Sequence, residues 1–284
     1  MNIVIARQMM KLIVIVKIIF FMFSSSAEVL KCQFRSDLKK IYSLSGPFTV
    51  ALDEMGLLGD KKMAGISLFH PISKNQFEGD ILPGGIFLSH ETGLKLRGAK
   101  VIFDKSIELK KMLSHLQVDL HEIDSYGLMP NEVTVKLSSL LKDLTINCGN
   151  EIASYEAKTQ KLLNQIKQNV PKSFNAIFFL GEITSEKFPE ILMVQDGVLR
   201  WLIHEKLLVS YPSNLAYLPW SSRILNSLSP KTLLIGVKDS GGKMTKRLDL
   251  TLQKNKMNLI YPGALIPGVS QLEAWLFLLK NLKS

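Results

Sequence analysis

The side chains in this sequence that could do chemistry are few and scattered. Its five histidines, His70, His90, His115, His121 and His204, are spread along the chain, so they could hold a metal only by converging in space. His204-Glu205 has no second histidine four residues after the first, which removes the usual zinc hydrolase signature. The two cysteines, Cys32 and Cys148, have no histidine at ligand spacing, and this argues against a zinc knuckle. The stretch GVKDSGGKM (236–244) resembles a phosphate-binding loop, but it has one residue too many before Gly242-Lys243, and Met244 offers no hydroxyl to magnesium. It reads instead as a Gly-Gly hairpin turn. There is no Gly-x-Ser-x-Gly elbow and hence no esterase nucleophile of that kind. These failures move the expectation from catalysis towards binding, with no catalytic residue, metal or cofactor assigned.

The first 27 residues read as a secretory signal. Basic Arg7 and Lys11 precede an apolar stretch over 12–23, and Ser24, Ser25, Ser26 and Ala27 supply small residues for cleavage after Ala27. The apolar stretch is interrupted by Lys17 and falls short of the roughly 20 residues that a bilayer span needs. Lys31 before Cys32 is not the small residue that a lipoprotein requires, so the expected form is soluble and periplasmic. Cleavage would remove Arg7, Lys11 and Lys17 and no acidic residue, leaving a chain that is still basic after starting from a formal charge of +10. The lysines form no run of five or more, which reads as solvated surface rather than a nucleic-acid site. In an oxidising compartment Cys32 and Cys148 can pair.

These residues need elements to position them. Apolar runs at 63–69, 101–103 and 118–123 alternate with amphipathic stretches, the punctuation of an α/β protein. Pro130 opens a helical pattern in which Val133, Leu137, Leu140, Leu141 and Leu144 recur at three- and four-residue intervals. The longest periodic segment covers 151–170 and is stopped by Pro171, with Asn150 or Asn147 as its expected cap. Twenty helical residues span about 30 Å, enough to bridge two lobes. The α/β rhythm then resumes at 176–180, 198–208, 232–237 and 259–261, and a terminal helix covers 271–282. The expected organisation is a signal at 1–27, an N-terminal lobe at 28–149, a bridging helix at 150–171 and a C-terminal lobe at 172–284. A faint repeat agrees with two like lobes: Ser89, Leu96 and Val101, Ile102, Phe103 match Ser221, Leu228 and Leu233, Leu234, Ile235 at a constant offset.

The stretches LGDKKMAGISLFHP (58–71), GGIFLSHETGLKLRGAKVIFD (84–104) and SNLAYLPWSSRILNSLSPKTLLIGV (213–237) together resemble the helical-backbone periplasmic binding proteins. Those proteins serve ABC-type importers of cobalamin, haem and ferric siderophores, and the cobalamin type is the most similar. The resemblance covers nearly the whole chain after the signal. It implies two Rossmann-like α/β lobes joined by one long helix, a metal chelate bound between them and a permease as partner, with the binding protein a monomer.

Carried over residue by residue, the resemblance puts a cleft aromatic at Phe69 and another at Tyr217. Trp220 and His70 lie close by and could add stacking and a polar or axial contact, and Tyr126 is a weaker candidate. A flat ring offers large apolar area to a corrin or porphyrin at low entropic cost. The sequence departs from the family pattern in several places. Gly85 stands where the first lobe has a cleft tryptophan, and Gly268 where an arginine often meets anionic ligands. The carboxylates that dock each lobe onto the transporter correspond to Val50 and to Asp196, with Asp53 or Glu54 as replacements in the first lobe. An exported enzyme or a non-transport sensor on the same scaffold are the alternatives, since fold does not fix function.

Overall fold

Apolar runs too short for helices become the strands of two sheets, and the long amphipathic segment becomes the helix between them. The computed structural model describes residues 31–68, 70, 77–83, 89–172, 175–184, 191–193, 197–208, 215, 217–219, 221, 223, 226, 232–241, 245–253 and 255–282. The first half contains β1 (Gln33–Phe34), β2 (Ile41–Leu44), α1 (Gly46–Glu54), β3 (Met63–Ser67), β4 (Asp80–Leu82), α2 (His90–Lys95), β5 (Lys100–Asp104), α3 (Ile107–Leu113), β6 (Asp119–Ile123), α4 (Pro130–Leu144) and β7 (Thr145–Ile146). After α5 (Gly149–Asn169) come β8 (Ala176–Leu180), β9 (Ile191–Met193), α6 (Gly197–His204), β10 (Tyr217–Pro219), β11 (Leu233–Asp239), β12 (Arg247–Gln253), β13 (Lys256–Tyr261) and α7 (Val269–Leu282).

The first sheet is wholly parallel, in the order β4-β3-β2-β5-β6. A parallel sheet covered on both faces needs near-continuous apolar strands, and Val101, Ile102 and Phe103 are all fully buried. The second sheet, β10-β9-β8-β11-β13-β12, repeats this order with one extra edge strand. Only β8, β11 and β13 pair parallel there; β9 and β12 run against them, and β10, antiparallel to β9, runs with them. The matched segments 101–103 and 233–235 fall on β5 and β11, which hold the same place in the two orders.

Helix α5 has 21 residues, about 32 Å at 1.5 Å per residue. Its buried stripe is Ile152, Tyr155, Thr159, Leu162, Leu163 and Ile166, the face that the periodicity predicts. Val170, held extended by the proline that follows, ends it. The expected asparagine cap does not form. Cys148 occupies the N-cap position without a side-chain cap bond, while Asn147 is spent on the left-handed turn (φ 59°) out of β7. Both cysteines are disulfide-bonded. The Gly-Gly hairpin also fails. Gly241 does sit in a left-handed turn (φ 64°), but β13 lies between β11 and β12, so the turn joins strands that are not paired. The hairpin is instead β12–β13, where Gln253 pairs with Lys256.

Residues 33–284 form one compact unit. Helix α7 explains this: it packs on β13 of the second sheet but also on α5 and on α1 of the first half. Its Trp275 ring packs tilted on Phe178 in β8, the ring centroids 4.1 Å apart. On its outer side Glu273 pairs with Lys158 of α5 at 2.9 Å, and Lys158 also reaches Glu54 of α1 at 2.6 Å. Among the described residues no helix is long and apolar enough to cross a membrane. The expected signal at 1–27 lies outside the described residues.

Candidate functional site

In open α/β sheets ligands bind beyond the carboxyl ends of the strands, where the strand order reverses. In the first sheet that point lies between β2 and β5, because the chain adds β3 and β4 on one side of β2 and β5 and β6 on the other. Asp104, the last residue of β5, sits there. Its carboxylate accepts from Ser45 Oγ at 2.7 Å, from the Gly46 N–H at 3.2 Å and from Ser125 Oγ at 3.4 Å. Burial pushes its pKa up to about 6, outweighing the three hydrogen bonds that favour the anion. The carboxylate thus ties the start of α1 to the segment after β6. Its hydrogen-bond partners are two serines and a backbone amide, the environment of a structural clamp rather than of an acid-base pair.

The matching edge of the second sheet is built by close backbone approach. Asn258 in β13 donates to the Ile183 carbonyl and accepts from the Ile183 N–H, both at 2.7 Å, folding the chain after β8 across β11. Gly236 is the crossing point. A Cβ there would stand 2.3 Å from Asn258 Oδ1 and 2.9 Å from Gly181 O and Ile183 N. Asp239, which ends β11, accepts from the Gly241 and Gly263 amides and holds the two following loops together.

These two carboxyl edges meet. The Ile266 side chain, in the loop after β13, lies 3.2 Å from where a Cβ on Gly46 would be, so the glycine allows the halves to approach. Arg200 of α6 donates to the Gly127 carbonyl beyond β6 at 2.9 Å. Beside these contacts the edges carry large apolar side chains in water. In the first sheet they are Leu68 directly after β3 (42% exposed), Ile107 after β5 (78%) and Tyr126 after β6 (47%). In the second sheet the corresponding residue is Ile191 (41%). Because β9 runs antiparallel, Ile191 pairs with Leu180 and Pro219 and so lies at the same edge. Leu68, Ile107 and Ile191 were not singled out by the sequence. For Leu68 the available signal is an apolar residue immediately beyond a strand end, where turns are ordinarily polar.

Of the sequence candidates, Phe69, Gly85, Trp220 and Asp196 lie outside the described residues. His70 is buried (4% exposed) just beyond β3, its backbone N–H donating to the Ser67 carbonyl. Tyr217 opens β10 at the sheet edge, half-buried and paired with Met193. Val50 is buried, and Glu54 is engaged by Lys158. Asp53 lies at the surface but is partly shielded, and this shielding, with the neighbouring Glu54, pushes its carboxyl above its ordinary range. Gly268 has φ 99° and stands 3.5 Å from Val133 and 3.7 Å from the Tyr155 hydroxyl, measured from an added Cβ. Those distances are ordinary packing contacts, and it is the left-handed backbone that favours glycine over any residue with a side chain there. Among the described residues no three histidine, cysteine or acidic side chains cluster as metal ligands.

No family model and no curated protein matches the chain by sequence. Solved structures do match it. The periplasmic haem-binding protein HutB of Vibrio cholerae superposes with a TM-score of 0.61 at 15% identity, covering 87% of this chain and 99% of that one. The periplasmic haem-binding protein BhuT, in complex with two haems, gives 0.60 at 12% identity, with 86% and 97% covered. RhuT from Roseiflexus sp. RS-1, in its apo form, gives 0.58 at 11%, with 86% and 97% covered. At such identities the likeness establishes the fold: two α/β lobes on a helical backbone, as in the periplasmic binding proteins. Each of these neighbours is described as a periplasmic haem-binding protein.

Proposed function

We propose that this chain is the exported substrate-binding component of an ABC-type import system, and that it takes a flat metal chelate of the haem kind between its two lobes. The observation that carries the reading is the exposed apolar row at the facing carboxyl edges, Leu68, Ile107 and Tyr126 opposite Ile191. Large apolar groups left in water at a strand-end cleft are stabilised when a hydrophobic ligand covers them. The haem-binding neighbours named in the preceding section support the same ligand class. Phe69, Tyr217 and Trp220 are the proposed stacking walls, with His70 as a buried support and Gly85 widening the first wall. Asp53 is the proposed first-lobe contact to the permease, because Glu54 is committed to Lys158; Asp196 is its proposed counterpart in the second lobe.

The test is to add haemin, cobalamin and ferric siderophores separately to the purified protein and record visible spectra and melting curves. The proposal expects haemin to give a shifted absorption band and a melting temperature that rises with its concentration, as mass action requires. Silence with all three chelates would refute it. A response to cobalamin or siderophore alone would keep the receptor and replace the ligand.

A further inference from the structure

At the opposite, amino edge of the first sheet the strand entries are cationic. Lys39 and Lys40 precede β2, Lys61 and Lys62 precede β3, and Arg97 and Lys100 flank the start of β5. These three strands are neighbours. The Ile41 N–H donates to the Lys62 carbonyl and the Lys100 N–H to the Lys40 carbonyl, both at 2.8 Å, so the basic pairs stand side by side about 5 Å apart. Of the nearby acids, Asp119 pairs with Lys100 at 2.6 Å and Asp37 with Arg35 at 2.9 Å, while Asp60 is held by the Phe34 and Lys62 amides and keeps its charge. Lys39, Lys40, Lys61 and Arg97 are exposed and have no acidic partner among the described residues.

We propose that this basic row is a docking surface for a bilayer rich in anionic phospholipid. A row along three strand ends suits an array of phosphate headgroups better than a single small anion. The chain itself also leads there. Residues 33–38 run along this edge, with Lys62 Nζ donating to the Ser36 carbonyl at 2.9 Å and to that of Leu38. The cleft lies at the other end of the strands, so lipid docking leaves it open, and the inference does not depend on which ligand the cleft takes.

Sedimentation of the full chain with vesicles tests this. Phosphatidylcholine vesicles give the baseline, including any contribution from the apolar stretch, and vesicles of phosphatidylcholine mixed with phosphatidylglycerol give the electrostatic part. Binding to the mixed vesicles is expected to be at least about tenfold tighter, with the excess lost in high salt. The excess should also vanish in the Lys39→Glu, Lys40→Glu, Lys61→Glu variant but persist when Lys111, Lys161 and Lys206, exposed elsewhere, are changed to Glu instead. Equal binding to both vesicle types would overturn the proposal. So would equal loss in the two charge-reversal variants, each first shown to melt like the parent.

Discussion

Asp104 and Gly236 each hold a carboxyl edge in shape, and both make predictions. Asp104 binds its proton more tightly in the folded chain, with a pKa of about 6 against an ordinary 3.8. Its contribution to stability is therefore fullest below pH 4 and is lost as the pH rises through 6, by on the order of 3 kcal/mol. Asp104→Asn should flatten that part of the stability profile in urea denaturation and leave the protein at least as stable at pH 7. A variant that keeps the parent's slope between pH 4 and 6 would show that another group is titrating. Gly236→Ala drives a Cβ into Asn258 and the backbone of Gly181 and Ile183, and should cost about 1 to 3 kcal/mol in the same assay. The residue scale is where the sequence was least legible. Gly236 was noticed only as part of a failed phosphate loop. Leu68 belongs to the apolar run 63–69, yet the strand ends at Ser67. Neither a close backbone approach nor the exact end of a strand has a local pattern, because both are set by what lies across the sheet.

The elements were more legible, in proportion to how local their causes are. The run 176–180 is strand β8 with the same bounds, and the long periodic segment is α5 within two residues at its start and one at its end. The hairpin was misplaced because pairing β13 between β11 and β12 is a non-local choice that a Gly-Gly dipeptide cannot report. Nor could periodicity show that α7 would reach back to α1. The Glu54–Lys158–Glu273 cluster ties these helices to α5. Burial opposes the Lys158 ammonium, yet the two carboxylates outweigh it and hold its pKa above the ordinary value. Lys158→Met should therefore lower stability by about 1 kcal/mol, a modest figure because all three side chains are partly in water. Melting the single variants Lys158→Met and Glu54→Gln together with their double variant measures the coupling. Strict additivity would mean that the cluster couples nothing.

At the scale of the whole molecule, two sheets of matching order present their carboxyl edges to one another, braced by α5 and closed at one point by Ile266 against Gly46. The brace limits how far the halves can move, since α1, α5 and α7 are packed together. Binding should therefore owe more to covering apolar surface that is already exposed than to a large closure. A calorimetric titration with haemin should then show a negative heat-capacity change, and a value near zero would mean that apolar burial is not the driving term. The most direct test of the cleft is the haemin affinity of the Ile107→Asp, Ile191→Asp double variant. Both residues are exposed, so folding should be spared, which the melting curve of the unliganded variant verifies. Placing a charge on each facing edge is expected to weaken haemin binding by at least about tenfold. Unchanged affinity in a normally folded variant would contradict the assignment of these edges as the ligand site.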